Sequence, residues 1–388
     1  MEFAKRMDMF SEGIFSLLGE RKKAQMNMGK RVVDLSIGAP NIPPADHVIE
    51  TLHREVLNKE NYVYALNDLD ELQNAVAEWY MRRYGVDIDP RTEVVSLLGS
   101  QDGLAHIALS IIDEGDIVLV QDPCYPVFAD GPRIAGADVH FMAQRPENGY
   151  VVDLDEIPKD VARAAKLMII SYPNNPTAAL APDAFYEKLI RFAKEYDIII
   201  LHDNAYSELV FDGATCGSFL RFPGAREVGV EFNSLSKSYG LAGARVGFCI
   251  GSSLVVSKLK VLKSNMDYGM FIPVQKAAVA AITGDQSCVE AARKAYERRR
   301  DILCDGLTAI GWPVERSKAT MFVWTKIPSN YTNSMKFVMD LLERAGVLVT
   351  PGSAFGPSGE GYVRLALVQD EEAVRYAVES IKNSGILV

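Results

Sequence analysis

Val228-Gly229-Val230-Glu231-Phe232-Asn233-Ser234-Leu235-Ser236-Lys237-Ser238-Tyr239-Gly240-Leu241-Ala242-Gly243-Ala244-Arg245 is the stretch on which the reading of this chain turns. Residues 228–232 form a short, nearly continuous apolar run that reads as a strand. A lysine follows it between two serines, and an arginine comes eight residues later. A lysine taken at random is a solvated surface residue. Here the flanks Leu235, Tyr239, Leu241, Ala242 and Gly243 are small or apolar. A partly desolvated lysine near another cation has a lowered pKa and can act as an amine nucleophile that forms a Schiff base.

Working outward, the same kind of run recurs at Val94–Leu98, 117–120, 139–142, 167–170, 198–201 and 246–250. None alternates with period two. Such runs mark strands buried on both faces, as in a mostly parallel sheet covered by helices. Helical patterns lie between them. Leu72, Ala75, Val76 and Trp79 make one stripe of a helix over Asp70–Tyr84, and 104–112 is an apolar helix. A third helix, 184–196, has Phe185, Leu189, Phe192 and Tyr196 on one side and Asp183 as its expected N-cap. The fold class is α/β. Upstream, residues 1–30 read as an arm with a helical piece around 12–24, and 32–37 as a short strand entering Gly38-Ala39-Pro40. After Gly284 the pattern changes to a long charged helix (286–310), a strand (321–327), a helix (Ser334–Ala345), a strand (347–350), a Pro/Gly loop (351–361), a strand (362–367) and a last helix (371–383). This predicts a large domain over 44–284 and a smaller α+β domain over 285–388, to which the arm 1–43 contributes.

Composition narrows the function. The chain has 388 residues, 48% hydrophobic and 24% charged, with net charge -10. Scattered Lys and Arg in an acidic chain argue against nucleic acid or an anionic membrane surface as partner. No apolar run reaches the roughly 18 residues of a membrane helix, and the polar start shows no secretory h-region. Five widely spaced cysteines form no CxxC, which predicts reduced thiols in the cytoplasm. Five histidines form no HxxxH or HExxH, so no metal is expected.

The chemistry lies after the strands, where open α/β sheets hold their ligands. Gly99-Ser100-Gln101 opens a helix, a small-residue turn whose free N–H groups suit a phosphate. The other strand ends carry Asp122-Pro123-Cys124-Tyr125-Pro126, Ser171-Tyr172-Pro173-Asn174-Asn175-Pro176-Thr177, His202-Asp203-Asn204-Ala205-Tyr206 and Ser234-Leu235-Ser236-Lys237. A phosphate cradle, a stacking ring, an amide, a carboxylate, a phenol, two hydroxyls, a lysine and an arginine would meet in one crevice. That set suits a planar, phosphorylated pyridine aldehyde held as a Schiff base.

Taken together, these segments resemble the class I/II aminotransferases of the fold-type I pyridoxal-phosphate enzymes, over nearly the whole chain and in the right order. Within that family, Gly99–Gly103, Asp122–Pro126 and 264–271 are most similar to the LL-diaminopimelate aminotransferase-like branch. The resemblance implies pyridoxal 5'-phosphate held by Lys237, which later moves the α-proton. It implies Asp203 on the pyridinium nitrogen, Tyr206 and Asn175 on the ring's 3-oxygen, and Tyr125 stacked on the ring. Ser100, Gln101, Ser234, Ser236 and Arg245 would hold the phosphate. Arg364, a charge inside the apolar strand Tyr362-Val363-Arg364-Leu365-Ala366-Leu367, would bind the substrate α-carboxylate; otherwise it is an edge residue facing solvent. Gly38 would lie under that carboxylate, which Asn175 also touches. An L-amino acid would pass its amino group to a 2-oxo acid, 2-oxoglutarate being expected, in a homodimer whose sites borrow Tyr64, or Tyr62, and the 267–271 loop from the neighbour.

The chain also departs from the family. Ala178 stands where glycine is usual, so the turn either avoids a positive φ or is strained. Asp68 falls near a frequent glycine, and the wording from Ser238 to Ala244 is uncommon. No second arginine is placed for a side-chain carboxylate, so aspartate specificity is not expected. A carbon–sulfur β-lyase on the same fold is the alternative, since its cofactor residues are the same. A regulator with a decayed site would have lost Lys237 or Asp203 and would carry a DNA-binding module.

Overall fold

The computed structural model describes residues 2–10 and 13–388. The described residues form twelve strands: β1 (Val33–Asp34), β2 (Val94–Leu98), β3 (Ile117–Asp122), β4 (Asp138–Ala143), β5 (Ala165–Ser171), β6 (Ile199–Asp203), β7 (Gly229–Ser234), β8 (Val246–Gly251), β9 (Phe322–Lys326), β10 (Val347–Leu348), β11 (Thr350–Pro351) and β12 (Tyr362–Ala366). Strands β2 to β8 make one sheet in the order β2-β8-β7-β6-β5-β3-β4. Only β8 runs against its neighbours β2 and β7. The carboxyl ends of the other six therefore share one edge. Val118, Leu119, Val120, Leu167–Ile170 in β5 and Val230 are fully buried, as expected for strands covered on both faces. The sheet is α/β and mostly parallel, as the apolar runs predict.

A second layer forms around the antiparallel sheet β11-β12-β9 and the parallel pair β1-β10. Val33 pairs with Val347 and Asp34 with Leu348, so the N-terminal segment joins the C-terminal region. The sequence run 347–350 is thus two strands in two sheets. Pro351 has no N–H to give and sits on the edge strand β11. The helix Ser287–Ala309 spans the two regions, packing on the last helix, Glu371–Ser384.

Several local expectations shift. The arm helix spans Ile14–Asn27; Glu12, within the expected helical piece, lies outside the described residues. The apolar helix expected over 104–112 begins at Ser100, ends at His106 and tightens into a 3-10 turn over Ile107–Ser110. Asp102 starts it early, because its carboxylate accepts the Leu98 N–H and folds the chain back at Gly99. Asp183 is the first residue of the helix Asp183–Tyr196, not its cap; Pro182 precedes it and Asp183 pairs with Arg221. Ala178 takes the strained alternative, at φ 61. Asp68 replaces glycine with a tether, since its carboxylate accepts the N–H and hydroxyl of Ser96 on β2.

Candidate active site

A cavity of about 270 Å³ opens at the carboxyl edge of the large sheet, under β9 and β12. Its wall includes Gly38, Ser100, Gln101, Tyr125, Asn175, Asp203, Tyr206, Ser234, Ser236, Lys237, Arg245 and Arg364. The residues expected from this chain's own site are all there; Tyr64, Tyr62 and the 267–271 loop, expected to serve the neighbour's site, are not.

Lys237 follows β7 in a single helical turn, Leu235–Ser238, capped by the Ser234 hydroxyl. Its Nζ donates to the Gly38 carbonyl at 2.9 Å. Gly38 needs to be glycine, because a Cβ would enter the Phe322 ring. Burial, with Arg364 and Arg245 nearby, pushes the ammonium down to about 8, against the opposing pull of Asp203. Asp203 ends β6 and is 6% exposed. Burial raises its carboxyl to about 6, and His202 is the chief influence holding it down. Its Oδ1 is buried without a partner among the described residues. A buried carboxylate oxygen left bare is costly, and a cationic N–H from a bound ring removes that cost.

Arg364 is in the same condition. β12 lies between β11 and β9, so it is no edge strand, and Arg364 is 3% exposed. The guanidinium is sandwiched between Phe322 at 4.1 Å and Phe355 at 4.6 Å. Nη1 donates to Asn175 Oδ1 and Nη2 to the Ser36 carbonyl, both at 2.8 Å. Nε has no partner, and no carboxylate pairs with the group among the described residues. Burial lowers it to about 10. With its oxygen on Arg364, Asn175 offers only its amide N–H₂ to the cavity. Tyr206 is buried, which raises its phenol, and its ring lies 5.9 Å from Lys237 Nζ.

At the other end, Gly99 lies against Arg245, whose guanidinium a Cβ at 99 would strike. Gly247 lets β8 pass close to the Ser100 N–H. Ser234 Oγ accepts from the Ser236 N–H and donates to the Val246 carbonyl, so it shapes this turn. Tyr125 donates to Gln101 Oε1 at 2.8 Å, standing its ring over the cavity. Tyr64 is 82% exposed and Tyr62 63% exposed. The Tyr62 hydroxyl donates to the Val56 carbonyl; that of Tyr64 has no hydrogen bond among the described residues.

Phe15, Ile37, Leu104, Ala205, Ala242 and Phe322 complete the wall. The sequence reading did not select them, since each is an apolar residue in an apolar or amphipathic segment. The two regions are latched beside the site. Asp122 accepts from the Ser358 N–H and hydroxyl, and Cys124 N–H donates to the Phe355 carbonyl.

The class I and II aminotransferase family matches residues 30–381. The chain belongs to this family. LL-diaminopimelate aminotransferases of Moorella thermoacetica and Syntrophobacter fumaroxidans are 45% and 44% identical to it, over 98% of each chain. The substrate-bound BacF structure from Bacillus subtilis superposes with a TM-score of 0.95 at 35% identity, covering 99% of this chain and 98% of that one. The aminotransferase is a fold-type I enzyme that depends on pyridoxal phosphate and moves an amino group from an amino acid to a 2-oxo acid. The bare Asp203 oxygen, the lowered Lys237 and the Ser/Arg245 turn fit that cofactor. No helix among the described residues is long and apolar enough to cross a membrane.

Proposed function

We propose that the amino donor is LL-diaminopimelate or a close relative, with 2-oxoglutarate as acceptor. The observation that carries the site reading is that Lys237, Asp203 and Arg364 share one cavity, the lysine half-buried and the other two buried, and none has a counter-ion at hydrogen-bond distance among the described residues. The full-length relatives carry the donor's name.

In this reading Arg364 and the Asn175 amide take the donor's α-carboxylate, which completes the guanidinium. That contact aims the α-carbon at Lys237. Pyridoxal phosphate, when bound, supplies the carbonyl that receives the amino group and the ring that holds the electrons left by the α-proton. Lys237 carries that proton, and its lowered pKa keeps a usable share of free amine near neutrality. Asp203 holds the ring nitrogen's proton, Tyr206 and Asn175 steady the 3-oxygen, and Tyr125 covers the ring. Ser100, Gln101, Ser234, Ser236 and Arg245 fix the phosphate.

The enzyme works as a cytoplasmic homodimer in this proposal, with Tyr64 rather than Tyr62 reaching the neighbour's phosphate, because its hydroxyl is uncommitted. Exposed Tyr64, Leu66, Tyr268 and Phe271 supply an apolar face for that contact. Residues 44–284 form the large domain, and 1–43 move with 285–388 as the small one.

The test is a panel of donors with 2-oxoglutarate, followed as glutamate formed. LL-diaminopimelate is expected to give the highest kcat/KM. A better neutral or aromatic donor would replace the donor assignment. No glutamate from any donor, with pyruvate and ammonia from thioether amino acids, would replace the transferase with the lyase.

A further inference from the structure

Behind the cavity, on the face of the large sheet covered by the helix Asp70–Tyr84, lies a web of buried polar groups that the reaction described above does not use. At its centre Glu231 on β7 faces His202 on β6, their Cα atoms in register. Both side chains are 0% exposed. Strand alternation puts His202 on this face and its neighbour Asp203 on the cavity side.

The hydrogen bonds place Glu231 and His202 in one chain of donors and acceptors. Glu231 Oε1 accepts from the Tyr80 hydroxyl at 2.9 Å. Its Oε2 accepts from the Phe219 N–H at 2.8 Å and meets His202 Nδ1 at 3.0 Å. The Phe219 N–H can only donate. The Tyr80 oxygen already accepts from Asn233 Nδ2, which leaves its hydrogen for Glu231. Glu231 thus accepts at both oxygens, and it is a carboxylate when His202 Nδ1 carries the proton between them. No lysine or arginine reaches it among the described residues. A carboxylate this deep is favoured by a cation beside it, and His202 is the one basic group in contact among the described residues. Its Nε2 lies 3.3 Å from the Tyr186 hydroxyl, an oxygen able to accept.

The web touches the site at three points, always through a neighbour of a cofactor residue. His202 precedes Asp203. Asn233 precedes Ser234 and accepts the Ser234 N–H on its amide oxygen at 2.8 Å. Ser207 follows Tyr206 and bonds the Tyr84 hydroxyl at 2.8 Å, while Tyr84 accepts from Asn233.

We propose that Glu231, through a cationic His202, is a positioning residue for Asp203: it fixes the end of β6 and keeps a positive charge behind the carboxylate that faces the cofactor's ring nitrogen. The groups facing this charge are Glu231 from β7, Tyr186 from the helix Asp183–Tyr196 and, beyond Glu231, Tyr80 from the helix Asp70–Tyr84. Asp203 itself faces Lys237, Tyr206 and Tyr125 across the cavity. His202 is the largest influence opposing the rise that burial imposes on Asp203. The inference rests on Asp203 being the ring-nitrogen partner.

Glu231→Gln keeps the shape of the side chain and removes the charge that holds His202 protonated. In the holoenzyme we expect the cofactor's dissociation constant to rise about tenfold, the scale set by loss of a supporting shell. The pH midpoint of the bound cofactor's visible absorbance should move up by about one unit, because a ring nitrogen less firmly protonated withdraws fewer electrons. Tyr80→Phe leaves both charges in place and should leave the midpoint where it is. A Glu231→Gln enzyme that melts earlier but keeps the wild-type dissociation constant and midpoint would overturn the proposal. If that variant does not fold, the wild-type holoenzyme labelled with 15N-histidine decides. One of its five imidazoles should stay doubly protonated at pH 8, and none doing so would overturn the proposal. Asp203→Ala separates the two levels. Should it retain full cofactor affinity, the reading of Asp203 fails; should it lose affinity while Glu231→Gln does not, only the role of Glu231 fails.

Discussion

Arg300 and Arg364 are both buried almost completely, and they are built in opposite ways. Arg300, 0% exposed in the helix Ser287–Ala309, has every nitrogen engaged. Nη1 and Nη2 grip Asp212 at 2.6 and 2.9 Å, Nε and Nη2 hold Asp301, and Nη1 also reaches the Ser317 carbonyl. Its pKa is raised despite burial. Arg364 has an amide, one carbonyl and two aromatic faces, but no carboxylate among the described residues, and is lowered. The lysines repeat the pattern. Buried Lys263 sits between Asp102 and Asp267, whereas half-buried Lys237 has, among the described residues, only the Gly38 carbonyl as a hydrogen-bond partner. A folded chain tolerates a buried charge without its counter-ion where something from outside provides one. Arg299, outside the cavity lining, also lacks an ion pair among the described residues but gives Nη1 to Asn41 Oδ1 and the Leu367 carbonyl; what sets the site apart is that its incomplete charges gather in one cavity.

The sharpest way to break this contrast is at Lys237. Lys237→Ala should abolish the bound cofactor's visible absorbance and reduce glutamate formation by at least about 10³-fold. Retained turnover would remove the lysine from the chemistry. The same residue predicts a pH dependence in the cofactor-free enzyme. Its folded pKa, about 8, lies below the ordinary 10.5. Between those values the unfolded chain binds more protons, so stability rises with pH across that window. The gain is about 3 kcal/mol if the whole shift acts. Urea titrations at pH 7.5 and 10 should show the slope in the wild type and lose it in Lys237→Met.

The arginines come next. Arg364→Leu should raise the donor's KM about 100-fold, the cost of losing a buried charge partner, with the cofactor's absorbance intact. Arg300→Met should leave KM unchanged and lower unfolding free energy by about 2 kcal/mol, discounted because Asp212 is half exposed. A KM effect at Arg300, or a purely thermodynamic one at Arg364, would erase the distinction.

That distinction was only half legible in the sequence. The apolar runs disclosed the sheet because strands buried on both faces leave no polar alternation. The strand ends disclosed Asp203, Asn175 and Lys237, since polar residues at those ends have one place to go. Arg364 stood out as a charge in an apolar strand. Arg300, inside Arg298-Arg299-Arg300, looks like a solvated helix face, and nothing local shows that Asp212 reaches it from 88 residues away. Phe15 and Phe322 were silent for a related reason. An apolar side chain lining a cavity and one filling a core are the same letter until the tertiary packing divides them. The Gly99 turn disclosed a helix opening at Ser100, but the apolar pattern over 104–112 did not disclose its end at His106 or the bond from the Leu98 N–H to Asp102 that sets its start.

The smallest effect tests whether incompleteness at the site extends to the backbone. Ala178 follows Asn175-Pro176-Thr177 and is held at φ 61, where a Cβ is crowded. The turn is fixed regardless, because Asn174 Oδ1 accepts from the Thr177 N–H and hydroxyl and the Ala178 N–H donates to the Asn174 carbonyl. A left-handed alanine costs about 1–2 kcal/mol, while glycine there gives back part of that through unfolded-state entropy and a lost buried methyl. Ala178→Gly should therefore stabilise the enzyme by only about 0.5 kcal/mol, seen as a small rise in the urea midpoint at unchanged slope. If the strain also holds Asn175 on Arg364, the donor's KM will rise in the same variant. A loss of stability instead would mean that the methyl's packing outweighs the strain, leaving the incompleteness of this site confined to its charges.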